Sequence, residues 1–306
     1  MRNSLESSSG RNTLYQDVTD RIIRELEEGR VPWVQPWDGA SCSLGLPRNA
    51  VTSRTYSGIN VLILWDAVIV RGFAAQQWLT FRQALAAGGN VRKGERGTTI
   101  CYADRFIPRD ERQRAAESGE EPAAIPFLKR FTVFNVEQCE NLPETAANTQ
   151  ASLREAEIVP AAEAVIAATG ADIRTGGGEA FYHRTEDYIR VPPQTAFFDP
   201  INYYRTVFHE LGHWTGHGSR LARDLTNRYG SEGYAREELV AEMASAFLCA
   251  SQSITPTVRH ADYIGAWLTV LRNDARAIFQ AASMASKSAD FVLGCAAGEV
   301  RSDSFA

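Results

Sequence analysis

Phe208-His209-Glu210-Leu211-Gly212-His213-Trp214 is the stretch whose reading decides the fold. It is an H-E-x-x-H segment. On a helix, His209 and His213 project from one face, four residues apart. That spacing lets two imidazoles hold one zinc ion. Glu210 then sits beside the open coordination position, where it can take a proton from water. An ordinary amphipathic helix with chance histidines also meets this five-residue pattern, so the surroundings must decide. Ile201 to Phe208 (INYYRTVF) leads into the motif with an apolar, aromatic run, as a buried active-site helix requires. Gly212 is a poor helix former, and its place before the second histidine implies a close approach to the backbone. Thr215-Gly216 is expected to end the helix before His217.

Farther on, Ala235 to Ala250 (AREELVAEMASAFLCA) reads as a second helix, with Leu239, Met243, Ala246, Phe247 and Ala250 at helical spacing. A structural zinc takes four protein ligands. A hydrolytic zinc takes three and keeps a place for water. Glu238 is the expected third ligand. Glu242, one turn later, is placed to hydrogen-bond a ligand histidine from behind. Solvated surface glutamates are the alternative, but their Met, Phe and Cys neighbours look buried. The ion expected is zinc, with Mn2+ or another divalent metal compatible. Tyr203, Tyr204, Tyr229 and Tyr234 are candidates to stabilise an oxyanion.

The 306 residues suffice for one large or two medium domains, and 44% hydrophobic with 23% charged residues is a globular composition. A net charge of -5 does not announce a nucleic-acid binder. Five scattered cysteines without a C-x-x-C predict free thiols, a reducing compartment and a cytoplasmic protein. No signal peptide or membrane span is expected.

From the N-terminus, residues 1–12 read as a disordered arm. Leu14, Val18, Ile22 and Leu26 then make one face of a helix, with Glu25, Glu27 and Glu28 opposite and Gly29 as its stop. The tryptophans of Pro32-Trp33 and Pro36-Trp37 are either core plugs or a stacking surface. Val61 to Val70 is apolar, and 77–85 reads as a helix. Residues 98–102 and 130–136 read as strands, and 108–126 as an exposed insertion.

Between residues 48 and 105 the charge is locally basic. Arg48, Arg54, Arg82, Arg92, Lys93 and Arg96 interleave with Tyr56, Trp78, Phe81 and Tyr102. Bases spaced by aromatics suit single-stranded nucleic acid, because cations track phosphates and rings stack on bases. A normal surface over an aromatic core is the alternative. The Arg92-Lys93-Gly94-Glu95-Arg96-Gly97 turn is the most pointed part, since glycines admit a phosphate close to the main chain. Residues 146–154 are the expected linker. Ala180 to Val191 reads as two strands about Thr185-Glu186-Asp187, placed where a peptidase would hold substrate by strand addition; a purely structural hairpin fits equally well. Asp262 to Phe291 is read as helical packing.

These blocks resemble a known family. Pro32-Trp33, Tyr56-Ser57-Gly58-Ile59-Asn60, Trp78 to Ala84, Val91 to Glu95 and Val133 to Gln138 resemble the N-terminal domain of ArdC-type antirestriction proteins. That domain is in turn similar to part of conjugative plasmid primases. His209 to Gly216, Arg220-Leu221 and Tyr234 to Glu242 resemble the zincin-type domain of the same family. The resemblance implies an α+β protein of two domains: residues 13–145 binding single-stranded DNA, and residues 155–306 a zincin-like metallopeptidase. It implies protection of entering plasmid DNA during conjugation, with a restriction enzyme as a possible protein substrate. A repair protease for DNA–protein crosslinks and a non-catalytic DNA-coating protein with a structural metal are the rival expectations. Glu242 stands where related peptidases usually carry aspartate.

Overall fold

The computed structural model describes residues 5–34, 44–119, 121, 125–143, 155–257 and 263–298. The expected linker at 146–154 and the Pro36-Trp37 pair lie outside them.

The N-terminal half contains α1 (Leu5–Glu27), β1 (Arg48–Asn49), α2 (Ile59–Arg71), β2 (Gln77–Thr80) and α3 (Phe81–Ala86). It continues through β3 (Asn90–Val91), β4 (Thr98–Phe106), α4 (Arg109–Ser118), β5 (Ile125–Asn135) and β6 (Cys139–Glu140). Four strands form a sheet in the order β1-β2-β5-β4. The antiparallel β4–β5 ladder is long, running from Thr98 opposite Val133 to Phe106 opposite Ile125. The apolar run of α2 lies against it, with Leu64, Ala67 and Val68 packing on Trp78, Ile100 and Val133. Gly72, at φ 69°, closes α2 in the left-handed conformation that glycine adopts without strain. Thr80 and Gln83 form a reciprocal cap, so the chain turns directly from β2 into α3.

Two expectations need correction here. Helix α1 begins at Leu5, within the stretch read as a disordered arm. The stretch 77–85, read as one helix, is instead strand β2 over Gln77–Thr80 followed by helix α3 from Phe81, because the Thr80 cap starts the helix there.

The C-terminal half contains α5 (Glu155–Ala168), β7 (Asp172–Thr175), β8 (Phe181–His183), β9 (Tyr188–Val191) and α6 (Ile201–Trp214). Helices α7 (Glu232–Ser251), α8 (Ile264–Asn273) and α9 (Ala277–Ala297) complete it. Its sheet has the order β7-β9-β8, so β8 is an edge strand. Helix α7 is buried along nearly its whole length, between α6 and α9.

The two halves share one apolar core. Trp33 meets Trp267 edge-on with ring centres 5.5 Å apart, and Trp65 meets Phe247 at 5.6 Å. Thr19 Oγ1 donates to the Ala275 carbonyl at 2.7 Å, and the Gly58 amide donates to Ser286 Oγ at 2.7 Å. Trp33 is therefore a core plug. Two halves joined by such a core should unfold as one unit. Trp65→Ala is expected to cost about 3–5 kcal/mol, as for other buried aromatic truncations. Urea melts followed by far-UV dichroism should keep one transition at a lower midpoint. Separate transitions for the two halves would contradict the shared core.

Candidate metal centre

The centre is made by two helices that touch where glycine permits it. Along α6, Tyr204, Val207, Phe208 and Leu211 are buried and fix the helix against the core. A Cβ on Gly212 would lie 3.1 Å from Ala241 Cα and 3.3 Å from its carbonyl oxygen. The backbone of α7 is thus what approaches Gly212. That contact sets Glu238, less than one turn before Ala241, opposite His209 and His213.

The donor atoms converge. His209 Nε2 and His213 Nε2 lie 3.2 Å apart. Glu238 places one carboxylate oxygen 3.5 Å from His209 Nε2 and the other 3.5 Å from His213 Nε2. Donors held about 2.0–2.1 Å from a tetrahedral ion sit roughly 3.3 Å apart. Two imidazoles and one carboxylate at these separations fit a divalent metal with a fourth position left for water. Among the described residues this trio is the group of His, Cys, Asp and Glu placed to hold an ion. His217 stands apart, beyond the helix end, with Nδ1 2.8 Å from Ser219 Oγ.

Each of the two histidines has a carboxylate behind it. Glu242 Oε1 lies 3.6 Å from His209 Nδ1, an ion-pair distance longer than a hydrogen bond. Glu237 Oε1 lies 3.1 Å from His213 Nδ1. Glu237 was not anticipated from the sequence, where it reads as one more acid beside Glu238. Arg223 holds it in turn, with Nε 3.0 Å from Glu237 Oε2 and Nη2 2.8 Å from Oε1. Arg223 also donates to the Gly212 carbonyl at 2.6 Å and to Ser288 Oγ at 2.9 Å, tying α6, α7 and α9 to one guanidinium. Burial opposes a charge on His213, but hydrogen bonds and charges from Glu237 and Glu238 outweigh it and lift its pKa to about 10. Burial likewise works to raise Glu237, but hydrogen bonds from His213 and Arg223 prevail and hold its carboxyl below the usual range.

A cleft of about 230 Å³ opens over these residues. Glu210 lines it, as do Phe181 and Tyr182 of the edge strand β8. The β8–β9 corner is braced by Arg220, whose Nη1 donates to Asp187 Oδ2 at 2.9 Å and whose guanidinium covers the Trp214 ring at 4.0 Å. Of the four tyrosines considered, Tyr234 lines the cleft. Its phenol is raised by burial, then by hydrogen bonds involving Tyr263 and Glu238. Tyr263 also lines the cleft and was not anticipated. Tyr204 is committed elsewhere, donating to Glu163 Oε1 at 2.8 Å, and Tyr203 packs on Phe197. Tyr229 is 75% exposed and packs on the Tyr234 ring.

The residues expected to meet DNA divide. Arg54, Arg82, Arg92, Lys93 and Arg96 are exposed, and Arg48 is half-buried in β1. Trp78 is fully buried and edge-on to Phe73 at 5.8 Å, so it is a core residue and cannot stack on a base. Tyr56 is half-buried against the same cluster. Among the described residues of the N-terminal half, the exposed rings are Phe81, Tyr102 and Phe131, the last two 5.9 Å apart. The basic turn is rigidly built. Gln138 Nε2 donates to the Arg96 carbonyl at 2.9 Å, and Gly94 takes a φ of 92°. A Cβ on Gly97 would meet Thr132 Cγ2 at 2.3 Å.

Comparison with known proteins now bears on this geometry. Residues 12–134 match the N-terminal domain of the anti-restriction factor ArdC, and residues 160–284 match a zincin-like metallopeptidase family. The antirestriction ArdC protein from plasmid R388, in its metal-free crystal structure, is 40% identical with a TM-score of 0.76, covering 93% of this chain and 98% of that one. The chain belongs to the ArdC antirestriction family. An Mn(II)-bound structure of the R388 ArdC protein is equally similar, at 39% identity and a TM-score of 0.75. An uncharacterized protein, y4eC, of Sinorhizobium fredii is 39% identical over 285 residues, 91% of each chain. The DNA primase TraC of Escherichia coli is 39% identical over 292 residues, and the match spans only 27% of the primase. The expected α+β architecture of an ArdC-type N-terminal domain and a zincin-like domain stands. Among the described residues, no helix is long and apolar enough to cross a membrane.

Proposed function

We propose that this chain protects incoming single-stranded plasmid DNA in the cytoplasm and works through a peptidase-type centre with a divalent metal, zinc in the first instance. His209, His213 and Glu238 would hold the ion, and their mutual spacing is the observation that carries this reading. The Mn(II)-bound ArdC of R388 supports a divalent occupant. Such an ion would supply a Lewis acid and lower the pKa of a bound water. Glu210, buried beside both histidines at the cleft wall, takes and returns the proton. Tyr234, which lines the same cleft, donates to the oxygen that gains charge. The edge strand β8 holds an extended substrate backbone by pairing with it.

Residues 13–145 are proposed to hold the strand, with Arg54, Arg82, Arg92, Lys93 and Arg96 on its phosphates. Arg92, Lys93 and Arg96 changed together to Ala should flatten the fall of affinity with salt, because fewer counterions are released. Equal binding of duplex and single strand would contradict this. The deciding assay for the whole reading is cleavage of candidate restriction enzymes with and without single-stranded DNA. Stimulation by the strand supports it. Metal retention with no turnover on any protein would reduce the centre to a structural one.

A further inference from the structure

A groove of about 460 Å³ lies between α1, α2 and the start of β4 and shares no lining residue with the metal cleft. That volume suits a small organic ligand. Leu62, Ile63 and Ala67 give it aliphatic walls. Arg71 and Arg130 stand at its exposed rim. Gly97, the last residue of the basic turn, also lines it, and Arg71 Nη1 fixes that turn by donating to the Arg96 carbonyl at 2.5 Å. The cationic track therefore runs into this groove.

Two of its lining residues each carry a buried polar atom without a partner among the described residues. Glu25 Oε2 and Thr98 Oγ1 are buried with no hydrogen-bond partner among the described residues, and their residues are only 6% and 7% exposed. The other Glu25 oxygen is 3.4 Å from Arg21 Nε, while Arg21 also pairs with Asp66. Burial raises the Glu25 carboxyl despite Arg21. Leaving a carboxylate oxygen buried and unsatisfied is costly unless something arrives to satisfy it.

Resting on the single-strand reading above, we infer that the groove receives one unstacked base carrying an exocyclic amine, donated to Glu25 and flanked by Thr98. Arg71 and Arg130 take the adjoining phosphates, Arg130 at the expense of its exposed contact with Asp17 at 3.4 Å. The walls stack on the base face without reading it. Cytosine and adenine offer an amine and a neighbouring ring acceptor, matching a carboxylate beside a hydroxyl. Thymine presents two carbonyls about its single N–H, and these face the carboxylate's lone pairs unfavourably.

The full-length protein is titrated by fluorescence anisotropy with oligo-dC and oligo-dT of equal length. The parent is expected to favour oligo-dC roughly ten-fold, the low end of what one matched base contact discriminates. Glu25→Met should bring the ratio to about one without lowering the thermal midpoint, because it removes a poorly satisfied buried acid. Thr98→Val, which conserves shape, should also shrink the ratio. Arg71→Ala and Arg130→Ala should weaken both oligonucleotides and lower the salt slope by about one each. Photocrosslinking of 5-iodocytosine oligonucleotides to the parent should map to α1 or α2. Intact single-strand binding with no dC preference, a ratio unmoved by Glu25→Met and Thr98→Val, or crosslinks confined to other elements overturns the groove alone. Failure to bind either oligonucleotide overturns the single-strand reading as well.

Discussion

Glu238→Ala is expected to empty the metal site, whereas Glu242→Ala and Glu237→Ala should weaken it by roughly 10–100-fold. The difference follows from position. Glu238 reaches both histidine Nε2 atoms at 3.5 Å, on the side where the donors converge. Glu242 and Glu237 reach the Nδ1 atoms behind the rings. They orient the imidazoles and raise their basicity without touching the ion. Of the two, Glu237 makes the shorter contact and is gripped by Arg223, so its loss should also loosen the α6–α9 tie. Metal content after gel filtration, and competition with a chelator, separate the cases. Stripping by Glu242→Ala with retention by Glu238→Ala would reverse the ligand assignment. The pH dependence has a definite sign. With its pKa at about 10, His213 holds a proton at neutral pH that the metal must displace. Metal affinity of the free protein should rise with pH, by about ten-fold per unit for that one proton, and level off as pH passes the His213 pKa.

The candidate metal centre was legible because its chemistry is written at helical spacing. His209 and His213 fall four apart, and Glu238 sits in a run whose neighbours are plainly core. The requirement for glycine at 212 was readable too, although nothing local named Ala241 as the partner. What the sequence hid were contacts made across the fold. Glu237 looks like a solvated neighbour of Glu238 until Arg223 is brought to it from the preceding loop. Tyr263 reaches the cleft only because α8 packs back along α7. Trp78 carried the wrong expectation: in a basic, aromatic stretch a buried ring and a stacking ring have the same composition, and only sheet packing against α2 separates them. Glu25 misled in the opposite sense. It shares a helix face with the exposed acids by spacing, yet it is buried in the fold. The family matches cover residues 12–134 and 160–284, but Trp33, Trp65, Phe247 and Trp267 join the halves in one core that no linker composition could announce.

Glu210→Gln should keep the fold, the metal and DNA binding, and should abolish peptide hydrolysis. The amide is nearly isosteric, and Glu210 is neither a member of the ligand trio nor part of the basic turn. It cannot accept the proton, so the loss should reach at least the roughly 10²–10⁴-fold that a positioned base contributes. Tyr234→Phe tests the second cleft residue. It removes one donor to the developing charge and should cost about 10²–10³-fold in kcat with KM little changed. Metal content must be measured in parallel, because Tyr234 also hydrogen-bonds with Glu238. The assay with biological reach is protection of transferred plasmid DNA in a restricting recipient. Lost protection with intact single-strand binding and full metal content would show that proton transfer at this centre is needed. Protection equal to the parent would show that covering the strand suffices, leaving the ion to hold α6 and α7 together. The first outcome is the expected one. Glu210 and Tyr234 both line an open cleft beside an edge strand, an arrangement that a purely structural ion does not require.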